Sequence, residues 1–214
     1  TSSAGMIRST LPLVGFGTEA MDVDNDGGLE LFLINGHVDV FSRAGEQVAY
    51  AQPVQIFRHT GNRETETEFE GIDPRPLGDY FRKPHVGRSL WTVDANRDGK
   101  VDLVTTHQTE PVSLLINRTS PEQSWMRIRL VGTSASRDAI GAMVAIETSA
   151  GPRVAGLFSG GGYQCSNERV LHFGLGTVGL DEISVSVTWP NGNVEEFHRV
   201  KTRAETTLIE GQGG

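Results

Sequence analysis

Short apolar runs separated by polar, glycine-rich loops set the pattern of this chain. In the first half the runs AMDV (20–23), LELFLI (29–34), PVQIFRHTG (53–61), ETEFEGI (66–72), WTVD (91–94) and VDLVTT (101–106) are of strand length, bounded by turn residues. A Gly-Asn turn at 61–62 separates the third run from the fourth. From Trp125 onward the pattern changes to clean alternation, which predicts strands with one buried face. Met126, Ile128 and Leu130 fall on one face, with Arg127 and Arg129 on the other. Ile183, Val185, Val187 and Trp189 alternate in the same way, and PNGN at 190–193 is a tight hairpin turn into VEEF. AMVAIET (142–148), RVAGLFS (153–159) and VLHFGL (170–175) supply further strands.

The first half contains a repeat. VGFGTEAMDVDNDGGLEL at 14–31 matches VGRSLWTVDANRDGKVDL at 86–103, so that Asp22 recurs 72 positions on as Asp94. Val14, Gly15, Gly27 and Leu31 recur unchanged as Val86, Gly87, Gly99 and Leu103. Each copy has an apolar entry, an Asp-rich loop and an apolar exit. With the two intervening runs this makes four short strands per unit, the sequence signature of a propeller blade. The surplus length falls in VFSRAGEQVAYAQ and GIDPRPLGDYFRKP, where Pro74, Pro76 and Pro84 argue against regular structure. The expected fold is all-β: two β-propeller-type units over residues 1–120, then a β-sandwich over 121–214, with the boundary near Ser120–Pro121.

The Asp loops carry the candidate chemistry. A D-x-D-x-D-G-x-x-[DE] loop turns oxygens from alternate positions toward one point, and its glycine permits the left-handed turn that closes the ring. Oxygen donors without His or Cys select Ca²⁺. The first site is expected to use Asp22, Asp24, Asp26 and Glu30 with the carbonyl of Gly28. The second is expected to use Asp94, Asn96, Asp98 and Asp102 with the carbonyl of Lys100. Asn96 removes one charge while Arg97 and Lys100 add two, which predicts weaker binding there. An EF-hand opens identically but needs Glu at loop position 12 and flanking helices. Leu33 and Thr105 hold that position, between strand-like runs.

Composition narrows the rest. With 27 acidic and 19 basic residues in 214, the formal charge of −8 argues against general nucleic-acid binding. Twenty-six glycines favour turns over long helices. No stretch reaches the ~18 apolar residues of a membrane-spanning helix, and TSSAGMIRST lacks the features of a signal peptide. The single cysteine, Cys165, reads as a small buried hydrophobe.

Other positions leave alternatives. Arg137 and Asp138 fit a local ion pair ordering their loop, or a ligand contact. SGGGY at 159–163 fits a wide turn, or an anion cradle of backbone N–H groups. His172 points away from the face of Leu171 and Phe173, as a structural or exposed residue. Asn117-Arg118-Thr119 matches the glycosylation sequon.

GFGTEAMDVDNDGGLELFLINGHV resembles the FG-GAP or VCBS-type repeat of integrin-like propellers. WMRIRLVGTSASRDAIGAMV, FSGGGYQCSNERVLHFGLG and VSVTWPNGNVEEF, in that order, resemble the ASPIC/UnbV domain, whose family includes the animal cartilage acidic proteins. The resemblance implies a Ca²⁺-binding propeller at an extracellular, periplasmic or cell-surface location, with further blades upstream. With no identifiable nucleophile, acid–base pair or redox cofactor site in the chain, the expected role is non-catalytic recognition or adhesion toward a protein or glycan ligand. The alternative is a small-molecule tailoring enzyme related to the UnbV proteins of enediyne clusters.

Overall fold

The computed structural model describes residues 5–40, 42–43, 45–60, 68–120, 123–148, 151–177, 179 and 181–214. The Gly-Asn turn expected at 61–62 and the Pro121 side of the expected boundary lie outside them. After a single helical turn, α1 (Ile7–Thr10), the first unit contains β1 (Gly15–Met21), β2 (Glu30–Asn35), a small hairpin β3 (Ser42–Arg43) and β4 (Glu46–Gln47), then β5 (Gln55–His59) and β6 (Phe69–Ile72). β1, β2, β5 and β6 form one antiparallel sheet in that order. The second unit contains β7 (Gly87–Val93), β8 (Asp102–His107) and β9 (Ser113–Leu115), a three-stranded sheet.

Period-two burial produces these sheets: Gly17, Glu19 and Met21 of β1 face inward, as do Phe32 and Ile34 of β2. The two sheets share one core around Met21, Phe32, Ile34, Ile56, Leu90 and Leu103. Their contact needs glycine at two points. A Cβ on Gly17 would stand 2.6 Å from that of Leu90, and one on Gly87 would stand 1.9 Å from Ile34 Cγ2.

Two details depart from the sequence reading. The second unit has three strands among the described residues, where four were expected, because the chain after Leu115 is drawn back onto the Asp loops through Asn117. The proline-rich segment is also more regular than expected. Arg75–Leu77 and Asp79–Arg82 form two short 3₁₀ turns, with Pro at the start of the first, where a missing N–H costs nothing.

The C-terminal half contains β10 (Ser124–Val131), β11 (Met143–Thr148), β12 (Gly151–Gly156), β13 (Leu171–Gly176), β14 (Glu182–Thr188), β15 (Val194–Lys201) and β16 (Glu205–Ile209). One sheet runs β13-β10-β16 and the other β12-β11-β14-β15. Met126, Ile128, Leu130, Val185, Val187 and Trp189 all lie in the core between them, on the faces that the alternation assigned. β10 and β16 pair in parallel, a feature that strand alternation cannot specify. Glu210, just past β16, accepts the N–H groups of Thr133, Ser134 and Ala135 and the amide of Asn191. These bonds, led by that of Ala135, hold its carboxyl down at about 2 and fasten the loop leading to β11. In that loop Asp138 pairs with Arg169, in place of the local Arg137 partner.

Candidate metal centre

Each Asp loop is the turn of a hairpin, β1 to β2 in the first unit and β7 to β8 in the second. The two share a backbone signature: Asn25 (φ 60) and Gly27 (φ 89) are left-handed, as are their counterparts Arg97 (φ 58) and Gly99 (φ 81). A carboxylate two residues back closes each turn. Gly28 donates its N–H to Asp26 Oδ1 at 2.6 Å, and Lys100 donates to Asp98 Oδ1 at 2.9 Å.

In the first loop, ligand oxygens of Asp22, Asp24 and Glu30 lie within 4.8 Å of one another. Asp22 and Glu30 are buried. Asp22 Oδ2 accepts the N–H of Gly27 at 2.7 Å, while its buried Oδ1 has no hydrogen-bond partner among the described residues. Burial pushes the Asp22 carboxyl up to about 7; the Gly27 bond opposes this, and the charges of Asp26, Asp24 and Glu30 add to it. The pocket therefore holds more carboxylate than its own donors neutralise. The Asp26 carboxylate is not in the converging group and instead closes the turn through Gly28 N–H. Arg58 on β5 reaches in, 3.0 Å from Glu30 Oε1 and 3.8 Å from Asp24, and its side chain is otherwise largely exposed. Nothing local in the sequence marked Arg58; it arrives through the β2–β5 register, which sets it opposite Glu30.

The second loop is more fully satisfied by protein. Asp94 accepts N–H groups of Asp98 and Gly99, and the buried Asp102 accepts those of Ala95 and Asn117. Asn96 donates to Asp98 Oδ2 at 2.9 Å, and the Lys100 ammonium turns away to the carbonyl of Thr119. No group of three acidic, His or Cys ligands converges there among the described residues.

The loops are cross-linked. Asn25 donates its amide to the carbonyl of Gly99, and Asn117 donates to the carbonyls of Val23 and Val101. The sequon at Asn117 is thus a structural clamp, and glycosylation there would replace one of the two N–H groups that make it. Asn117→Ala, which removes both donated bonds and the acceptor for Thr119 N–H while leaving the Thr119 hydroxyl on the Val23 carbonyl, is expected to cost roughly 1–2 kcal/mol, readable as a lowered urea midpoint.

Both loops also face the sandwich. His172 Nε2 lies 2.6 Å from Asn25 Oδ1, and Gly176 donates its N–H to the Asn25 carbonyl at 2.7 Å. Arg153 donates to the carbonyl of Gly27. At the second loop, Arg127 lies 3.5 Å from Asp94 and pairs with Glu168 at 2.7 Å and Glu205 at 3.2 Å. The glycine run at 159–163 makes a turn closed by a Gly162–Cys165 bridge, packed against Glu19 of β1 and Leu90 of β7. Cys165, half-buried, donates its thiol to the Leu90 carbonyl, and burial raises its pKa.

The family model described as ASPIC and UnbV matches residues 132–214. Cartilage acidic protein 1 of Xenopus tropicalis is 32% identical over 183 residues, covering 82% of this chain and 25% of the relative. Its Mus musculus counterpart is 30% identical over 182 residues, with the same 82% and 25% coverage. The Homo sapiens protein is 30% identical over 180 residues, 81% of this chain and 24% of its own. The chain thus spans about a quarter of the length of these relatives. The family match takes in β11 to β16 and begins just after β10, while the similarity to cartilage acidic protein 1 extends beyond it into the repeat units, so the chain resembles these proteins in both halves and carries the ASPIC and UnbV match in its C-terminal one.

Proposed function

We propose that this chain is a calcium-binding, non-catalytic recognition module of an extracellular protein. The convergence of Asp22, Asp24 and Glu30, with a buried carboxylate oxygen left unpartnered, carries the reading. Such an oxygen is costly unless a donor or cation meets it, and an all-oxygen donor set fits Ca²⁺. In this reading Asp26 and the carbonyl of Gly28, on the same turn, would complete the shell once the ion is bound. Asp94, Asn96, Asp98, Asp102 and the Lys100 carbonyl form a second, weaker site, since neighbouring N–H groups and Arg127 already offset much of its charge.

Calcium neutralises the carboxylates and fixes the loops. Sites of this kind in extracellular modules hold the ion at about 10⁻⁴ to 10⁻³ M, which suits the environment that the relatives' cartilage name implies. The clustered carboxylates are accounted for by cation and loop, which favours recognition of a protein or glycan over chemistry. Calorimetric titration of the chelated chain is expected to show Ca²⁺ heat and a raised melting temperature. Absence of both overturns the reading.

A further inference from the structure

The two halves of the chain have separate hydrophobic cores. They are joined by a set of polar contacts, His172 and Gly176 on Asn25, Arg153 on Gly27, Arg127 and Glu168 on Asp94, and Asn167 on Glu19, beside apolar ones of Trp125 with Gly99 and Tyr163 with Phe16. Junctions between units of one chain permit relative motion unless they are large and apolar. Here the strands β1 and β7 supply some of the contacts, and the two loops supply those with His172, Gly176, Arg153 and Arg127.

That shape is most exposed to cation loss at the first loop. Asn25 and Gly27, which supply three of these contacts, lie between and beside Asp22, Asp24 and Asp26, and both are held at positive φ. Opening of the loop by repulsion between Asp22, Asp24 and Glu30 would carry the Asn25 carbonyl, the Asn25 amide and the Gly27 carbonyl away from β13 and Arg153 together. Through the Asn25 bond to Gly99 it would also disturb the second loop.

We infer that cation occupancy of the first Asp loop controls docking of the C-terminal sandwich onto the repeat units, so that the ion is an interdomain latch as well as a local staple. The inference rests on the calcium reading of that loop. Gly176 N–H, bonded to the Asn25 carbonyl, and Glu168 N–H, bonded to that of Thr92, report docking directly, because each is a sandwich amide with a partner in the repeat units. Amides of β14, in the sandwich core, report the fold of the sandwich itself.

Hydrogen exchange of the whole chain, in millimolar calcium and in chelator, tests the latch alongside the calorimetric titration. Peptides containing Gly176 and Glu168 are expected to exchange roughly tenfold faster in chelator while those of β14 stay unchanged. Asn25→Gly keeps the left-handed turn and every proposed ligand but removes the amide links. It loses the side-chain links to His172 and Gly99 but keeps the backbone carbonyl that accepts Gly176 N–H, so it is expected to bind Ca²⁺ within about threefold of the unaltered chain and, in calcium, to exchange at Gly176 faster than the unaltered chain. Calcium heat with equal exchange in both buffers overturns the latch and leaves calcium binding standing. Acceleration of β14 together with the reporters also overturns it, since the ion would then staple the whole fold. No calcium heat overturns both readings.

Discussion

Asp22→Asn is expected to abolish the calcium-induced rise in melting temperature. Asp22 is the best-buried candidate ligand with an oxygen to spare: Oδ2 is committed to Gly27 N–H and Oδ1 has no partner among the described residues. Asparagine keeps the side-chain shape and can still accept from Gly27, so the turn survives while the anionic donor is lost. At a hundredfold excess of free ion over Kd, binding adds about 2.7 kcal/mol to the folded state. For a chain of this size that amounts to roughly 5–10 °C. In chelator the sign reverses. There Asp22 is a buried charge beside Asp24, Asp26 and Glu30, and its replacement is neutral or stabilising. Melting curves of both proteins in calcium and in chelator check the two signs at once; an unchanged calcium shift in the variant removes Asp22 from the site.

Arg58 offers a graded companion test. Its guanidinium stands between Glu30 and Asp24 on a largely exposed side chain, so it offsets part of the charge that a cation would meet. Arg58→Ala is therefore expected to raise Ca²⁺ affinity by a few-fold while lowering stability in chelator by about 1 kcal/mol. Calorimetry and chelated melting curves measure the two effects, and weaker calcium binding in the variant would contradict the assignment.

Much of the fold was legible because burial repeats with the strand period. Met126, Ile128 and Leu130 could be assigned to one face from alternation alone, as could Ile183 to Trp189. The duplicated Asp loop was equally legible, down to the glycines that share a left-handed backbone. What the sequence left open was the covering of the other faces. Arg127 falls on the polar face of β10, yet it is only 5% exposed because the second Asp loop, Glu168 and Glu205 close over it. His172 sits opposite Leu171 and Phe173 as its position implies, but Asn25, 147 residues earlier, is what meets it. Alternation states which way a side chain points; it carries no information on what packs there. Asp138 makes the same point, since its partner Arg169 is 31 residues away and not the adjacent Arg137.

The covering of His172 has a measurable consequence in acid. Asn25 donates its own amide to the Gly99 carbonyl, which presents Oδ1 to the ring, so His172 Nε2 is the donor and Nδ1 a bare acceptor. Nδ1 is buried without a partner among the described residues. A proton there would find no acceptor, and burial, followed by the charge of Arg127, lowers the His172 pKa to about 4. The unfolded imidazole titrates near 6.5, at about its ordinary value. Between those limits the unfolded chain takes up a proton that the folded chain refuses, so stability rises with pH through the window. The contribution is fully present above about 6.5 and is lost as pH falls toward 4, for a total of about 3 kcal/mol. His172→Gln can keep a donor toward Asn25 but cannot titrate, and is expected to flatten this part of the profile. Urea midpoints of both proteins from pH 7 to 4, taken in chelator so that calcium release does not contribute, isolate the difference. Parallel profiles would mean that the ring is hydrated and titrates freely, and that the contact between β13 and the first Asp loop is looser than its 2.6 Å hydrogen bond implies.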